Sequence, residues 1–333
     1  MYYDTYRGKN RSGRRRRSGG CGSWLLGLVF KLIALALVLA LIAAGVLYAM
    51  PVALMNVEPG GVDLALTDGL PGSRVNVLLL GLDYMDEGQQ RSDAMMIASV
   101  GYDGAKITSI MRDTLVDIPG HGQHKLNSAY SYGGAEMTMR VINETFDLNI
   151  TNYAAVDLRT LVDLVDALGG VEVSIEENEI SHLNSCAWNT YKKIIQLDPS
   201  KYQHYADSKL VTTAGVQLLD GLFATAYTRI RHADSDYMRT ARQREVLSAM
   251  VTRLRENFYK PQIYVNLYNV LKSSVDTNLS LPELISLGEK VLVSGKIETL
   301  RAPANEYIVD NGSFITITNP EENVRSVHEF IYS

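Results

Sequence analysis

RVNVLLLGLD (74–83), RSDAMMIASV (91–100) and KITSI (106–110) form the stretch that decides the fold. Arg74–Leu82 is a near-continuous apolar run of strand length, the mark of a central strand buried on both faces. Ala94–Val100 and Lys106–Ile110 read as two further strands, joined by the turn-like GYDGA (101–105) into a hairpin. Downstream, Ser131–Phe146 has the spacing of an amphipathic helix and Tyr153–Leu158 reads as a strand. Arg159–Leu168 reads as a helix closed by Gly169–Gly170, and Val171–Ile175 as another strand. This alternation indicates an α/β or α+β sheet domain. Gly221–Tyr227, Tyr237–Asn257, Pro261–Val275 and Leu281–Val293 follow as helices, and Leu300–Tyr307 and Ser313–Ile317 as late strands at the sheet edge. The polar, Tyr-rich segment Glu176–Thr213 is left open between an inserted helix pair and a lid.

The 333-residue chain is 46% hydrophobic and 21% charged, an ordinary globular balance that argues against disorder and coiled coil. Its charge is unevenly divided. Residues 1–55 hold eight basic residues and one acid, which leaves residues 56–333 with 24 basic against 36 acidic, a net −12. Nucleic-acid binding depends largely on neutralising phosphates with Lys and Arg, so a body this acidic should repel nucleic acid, and any phosphate site must be local. Leu32–Met55 is a 24-residue run without a charge. At ~1.5 Å per residue it is long enough to cross a ~30 Å hydrocarbon layer, and it exceeds the core of a cleavable signal peptide. Arg14–Arg17 precede it, so the positive-inside rule expects a cell-membrane protein with one transmembrane helix, a cytoplasmic amino terminus and an extracytoplasmic body. The expected organisation is a basic tail (1–31), the span (32–55), a Gly/Pro/Asp-rich linker (56–73), a core (74–258) and C-terminal helices and edge strands (259–333). Cys21 and Cys186 fall on opposite sides of the span and cannot form a disulfide.

Four charged clusters flank the apolar strands: Asp83, Arg91-Ser92-Asp93, Arg112-Asp113 and the run Arg229–Arg244. Open α/β sheets tend to place ligand sites beyond strand ends. Arg229 and Arg231 lie two apart, on one side of an extended segment; Asp236, Arg239 and Gln243 share a face if a helix begins near Asp236. Singly, an Asp after a strand is more often a turn former, and a helix rich in Arg more often a solvated face. The excess is the signal. Arg91, Arg112, Lys125, Arg229, Arg231, Arg239, Arg242 and Arg244 gather beside carboxylates in an acidic body. Guanidinium forks suit phosphate oxygens, and paired carboxylates suit a divalent cation bridging them, so the combination points to a pyrophosphate site. No Walker-type loop, Gly-x-Ser-x-Gly elbow or Cys/His zinc pattern competes.

At these residues the chain resembles the LytR-CpsA-Psr family, membrane-anchored proteins that attach glycopolymers to the Gram-positive cell wall. The matching segments are NVLLLGLD (76–83), RSDAMM (91–96), MRDTLVDIPG (111–120), KLNSAYSYGG (125–134), VDLRTLVDLVDALGGVEV (156–173) and AGVQLLDGLFATAYTRIRHADSDYMRTARQREVL (214–247). Met111 and Ala135 stand where the family usually has proline, and neither departure removes a charge. The resemblance implies an α-β-α sandwich with a central mixed β-sheet and an apolar pocket for a polyprenyl chain. The implied activity is EC 2.7.8-type transfer of a glycopolymer, such as teichoic acid or capsule, from polyprenyl pyrophosphate to peptidoglycan. It further implies Asp83 and Asp93 as ligands of Mg²⁺ or Mn²⁺, and Arg91, Arg112, Lys125, Arg229, Arg231, Arg239 and Gln243 at the pyrophosphate. Asp236 becomes a candidate for activating the acceptor hydroxyl, and Asp113 for orienting an Arg. Polyprenyl-phosphate-binding regulation without turnover, and lipid pyrophosphate hydrolysis, are the alternatives.

Overall fold

The computed structural model describes residues 62–84, 90–230, 236–294 and 297–333, with only the backbone of Tyr84, Asp236 and Tyr237. The chain divides into two compact units, Met1–Asn56 and Val57–Ser333, and all described residues belong to the second. The basic tail and the apolar run 32–55 therefore lie outside the described residues. Among those residues no helix is long and apolar enough to cross a membrane.

The quoted stretch forms three antiparallel neighbours, β1 (Val75–Tyr84), β2 (Gln90–Gly101) and β3 (Gly104–Ile110). The hairpin β4 (Leu115–Ile118)–β5 (Gly122–Lys125) follows, then helix α1 (Ser128–Phe146) and strand β6 (Asn152–Asp157). After β6 come α2 (Leu158–Ala167) and β7 (Val171–Ile175), then α3 (Ile180–Leu197), the single turn α4 (Pro199–Tyr202), β8 (Gly215–Leu219) and α5 (Gly221–Tyr227). The long α6 (Asp236–Glu256), α7 (Pro261–Ser274), β9 (Asp276–Thr277) and α8 (Leu281–Ser294) precede β10 (Ile297–Ala302), β11 (Ile308–Asp310), β12 (Ile315–Ile317) and α9 (Pro320–Tyr332).

The main sheet has order β10-β3-β2-β1-β6-β9 and is mixed, with β1 parallel to β6 and β3 parallel to β10. The apolar run at Val75–Leu82 is central, as its two-sided hydrophobicity requires. Leu78, Leu80 and Ile97 are buried against Met139, Ile142 and Phe146 of α1 and Ile331 of α9. Each fully buried aliphatic or aromatic chain of this kind contributes roughly 1.5–3 kcal/mol. On the opposite face Met96, Ala98 and Ile107 pack with Leu79 and with Leu247 of α6. A second core joins α2, α3, α5 and α6 through Val162, Leu183, Leu222, Tyr227 and Val246. Helices cover both faces, so the layers are α-β-α.

Several expectations need correction. Arg91-Ser92-Asp93 stands inside β2 instead of before it, because the strand pairs down to Tyr84–Gln90. Val171–Ile175 is a strand, but it pairs only with β8 in a separate ribbon. Ser313–Ile317 yields β12, which pairs with β11 and not with the edge of the main sheet; β10 alone forms that edge. The described part of the expected linker is partly core. Leu64 is buried, Asn143 donates to its carbonyl at 2.9 Å, and Thr67 N–H donates to Leu148 at 3.0 Å.

Candidate active site

The site is assembled where β1 and β2 run out under α3 and α6. Alternation along β1 puts Leu79, Gly81 and Asp83 on the face away from α1. The register passes from Gly81–Ala94 to Leu82–Ser92, which leaves Asp93 as the extra residue of a β-bulge. Bulges re-aim side chains and are common beside active sites. Here the bulge brings a second carboxylate to the cavity that Asp83 also lines. A Cβ at Gly81 would stand 3.0 Å from that of Ala94, so any larger residue here would press on the strand opposite.

Cations answer both aspartates. Arg112, in the turn after β3, donates to Asp93 at 2.8 Å, and its Nε lies 3.4 Å from Asp113. Lys125, at the end of β5, donates to Asp113 at 2.8 Å, so Asp113 orients Arg112 and Lys125 together. Arg229, just beyond α5, is held by Thr190 of α3 at 3.0 Å and lies 3.8 Å from Asp83. Lys193 of α3 donates to the same carboxylate at 3.0 Å. Buried Arg239 of α6 donates to the Asp93 carbonyl at 3.3 Å, and Gln243 lines the cavity one helical turn on.

Of these groups Asp83, Asp93, Arg229, Arg239 and Gln243 line one end of a cavity of about 690 Å³, while Arg112, Lys125 and Lys193 reach it only through the aspartates they pair with. Leu79, Met96, Val156, Leu161, Leu247 and Leu271 are among its walls. Asp157 also lines it and caps α2 by accepting from Thr160 N–H at 2.8 Å. Burial works to raise the Asp157 pKa, but hydrogen bonds from Thr160 and Arg159 outweigh it and hold the carboxyl below its ordinary value. The cavity is thus a greasy pocket with a polar mouth at which two carboxylates and several cations meet.

The structure brings together Asp83, Asp93, Arg112, Lys125, Arg229, Arg239 and Gln243. Arg91 pairs with Asp83 in register but is exposed and does not line the cavity. Arg231 lies outside the described residues. Asp236 is the first residue of α6, as its spacing with Arg239 and Gln243 required, and its side chain is not described. Arg242 and Arg244 leave the cluster: Arg242 is buried on Glu179 at 2.7 Å, and Arg244 donates to Ser109 at 3.1 Å. Sequence reasoning missed Thr190 and Lys193. The signal was present, since His182, Ser185, Cys186, Asn189 and Lys193 recur at helical spacing within the unassigned segment. Among the described residues no group of three or more His, Cys, Asp or Glu is gathered for a metal.

The LytR_cpsA_psr family model matches residues 61–328. The polyisoprenyl-teichoic acid–peptidoglycan teichoic acid transferase TagT of Bacillus subtilis (strain 168) is 28% identical over 317 residues, 90% of this chain and 91% of that protein. A solved structure of TagT bound to LI-WTA aligns with TM-score 0.62 and 26% identity, covering 82% of this chain and 96% of that one. The LytR-CPS2A-psr family protein YwtF (TagT) with bound octaprenyl pyrophosphate lipid aligns with TM-score 0.55 and 25% identity, covering 81% and 91%. The mixed sheet between helices matches these structures.

Proposed function

The chain belongs to the LytR_cpsA_psr family, and from that premise we propose a membrane-anchored phosphotransferase acting outside the cytoplasm. It moves a glycopolymer from a polyprenyl-pyrophosphate carrier to a peptidoglycan hydroxyl. The observation that carries this reading is the convergence of Asp83, Asp93, Arg112, Arg229 and Arg239, from distant stretches of an acidic body, on the mouth of an apolar cavity. A polyprenyl chain suits the walls, and a diphosphate suits the mouth. The span 32–55 holds the domain at the membrane that presents such a donor.

The acceptor hydroxyl attacks the phosphorus that carries the glycan. A new P–O bond forms, the bridging P–O bond breaks, and polyprenyl phosphate departs with the electron pair. Arg229, prepositioned by Thr190, and Arg239, locked in α6, stabilise the charge that builds on the bridging and non-bridging oxygens. Gln243 lines the cavity beside the diphosphate, and Arg112, paired with Asp93, and Lys125, linked to Arg112 through Asp113, add positive charge behind it. Arg91 and Arg231 are assigned to the same anion from the sequence pattern alone. Asp236, at the head of α6, takes the acceptor proton. No protein nucleophile is needed, since phosphoryl transfer is catalysed mainly by positioning and electrostatics.

Magnesium fits this donor set as a shared ligand, because Mg²⁺ is characteristically bound by one or two carboxylates together with substrate phosphates and water. Asp83 and Asp93 would hold it, or Mn²⁺. Bound there, it would supply positive charge to the diphosphate oxygens.

The test is incubation of the protein with a lipid-linked oligosaccharide, Mg²⁺ and a peptidoglycan acceptor. Glycan joined to acceptor through a phosphodiester is the expected product. Free phosphorylated glycan would convert the reading to a lipid pyrophosphatase, and tight binding without product to a regulator.

A further inference from the structure

We propose that the outward face of α7, with the end of α6, sits in the headgroup layer of a phospholipid bilayer, where it opens the cavity to a lipid chain entering between α7 and α8. This rests on the lipid-linked donor proposed above, and it concerns how that donor reaches the cavity.

Three observations converge on this face. First, α7 and α8 are apolar helices with little burial. Among their residues only Ile263 is buried, and none of α8 is. Yet Leu271 and Val275 at the end of α7, and Leu284 of α8, line the cavity. The same two weakly buried helices therefore face solvent on one side and the cavity on the other.

Second, the outward face lacks the usual charged cover of a solvated helix. Tyr264, Val265, Tyr268 and Lys272 share one side, and Phe258 and Tyr259 extend the patch from the end of α6. Phe258 is 64% exposed and Tyr259 67%. Lys260 lies 5.8 Å from the Tyr259 ring and Lys272 6.0 Å from that of Tyr268. Tyrosines beside lysines whose stems can reach outward make up the belt that proteins place at a membrane interface.

Third, the charge is of the sign that an anionic leaflet attracts. Residues 253–276 contain Arg253, Arg255, Lys260 and Lys272 against the two flanking acids Glu256 and Asp276, a local net charge of +2 in a body whose net charge is −12. Lysines near an anionic surface are attracted to it, which orients a domain already held at the membrane.

The experiment is a depth measurement on the full chain in nanodiscs containing phosphatidylglycerol. Val265→Cys, Tyr268→Cys and Val309→Cys are each spin-labelled in a Cys21→Ser/Cys186→Ser background. Val309, 58% exposed against 52% for Val265 and 42% for Tyr268, lies on the β11–β12 ribbon. Labels at 265 and 268 should collide several-fold more with molecular oxygen than with a water-soluble nickel complex, and the label at 309 should show the reverse. Adding Lys260→Glu and Lys272→Glu should move both labels toward water. Equal nickel access at 265, 268 and 309 overturns the proposal. No turnover is read, so a failed transfer reaction leaves this result standing, and a failed depth profile leaves the transferase assay standing.

Discussion

Replacement of Arg229 by Ala tests the electrostatic role most sharply. Its guanidinium is fixed by Thr190 at 3.0 Å and lies 3.8 Å from Asp83. A full charge pair at about 4 Å, with an effective dielectric near 20, is worth ~4 kcal/mol. The diphosphate is already anionic before reaction, so most of that attraction acts equally in ground and transition states and appears in KM. Only the charge building on the bridging oxygen differs. About half a unit of it corresponds to ~2 kcal/mol, or roughly a 30-fold loss in kcat. The fold should lose little, because Lys193 still answers Asp83 at 3.0 Å and the Arg229–Asp83 contact is long, at 3.8 Å. The assay is steady-state transfer with lipid-linked oligosaccharide, with thermal unfolding as the control. Arg229→Lys should recover part of the KM and little of kcat, since an ammonium restores charge without the fork. A kcat within threefold of wild type in the Ala variant refutes the reasoning.

Lys193→Ala removes a half-exposed cation at the mouth, so KM for the donor should rise about fivefold, corresponding to ~1 kcal/mol, and the effect should shrink in high salt. Unchanged KM at low salt would exclude Lys193 from donor binding. Asp83→Asn and Asp93→Asn should each weaken Mg²⁺ binding measured calorimetrically with a pyrophosphate analogue, by at least the ~10-fold that losing even an outer partner costs; undiminished affinity in both would remove the metal from these residues. Ala154→Phe places a ring in the cavity wall and should abolish binding of a polyprenyl phosphate, at a stability cost of ~1–3 kcal/mol; normal lipid binding would mean that the chain lies elsewhere. Asp166 is pushed above the ordinary carboxylate range by burial, against hydrogen bonds from Tyr205 and the Gly221 N–H. A raised acid contributes stability below its unfolded pKa that is lost as pH rises through the folded one. Wild-type stability relative to Asp166→Asn should therefore fall as pH rises through that range; a difference that grows with pH would contradict the assignment.

The central strand, its hairpin partner and most helices were legible because their apolar periods match their burial. Asp83 and Arg112 were legible as the first charged residues after apolar runs, although β1 does not end at Asp83 as expected but pairs on through it to Tyr84. The bulge at Asp93 was not, since nothing local reveals which residue of a pair goes unopposed; the pairing partner decides it. Arg242 and Arg244 looked like members of the cluster because sequence proximity does not record helical phase. One turns to Glu179 and the other to Ser109. Lys193 was hidden in a segment whose polar stripe faces the cavity, so the usual apolar signal of an inward helix face was diluted by the residues of the site. The strand at Ser313–Ile317 was expected at the sheet edge but pairs in the β11–β12 ribbon, and β8, the partner of β7, was not read at all, because a strand pattern does not specify its partner.

A structure of the protein with octaprenyl pyrophosphate and Mg²⁺ would test the central claim most directly. The account predicts the diphosphate against Arg112, Arg229 and Arg239, with the metal on Asp83 and Asp93 and the chain running past Leu79, Met96 and Leu161. A diphosphate bound away from these side chains, or a chain lying outside the cavity, would contradict it.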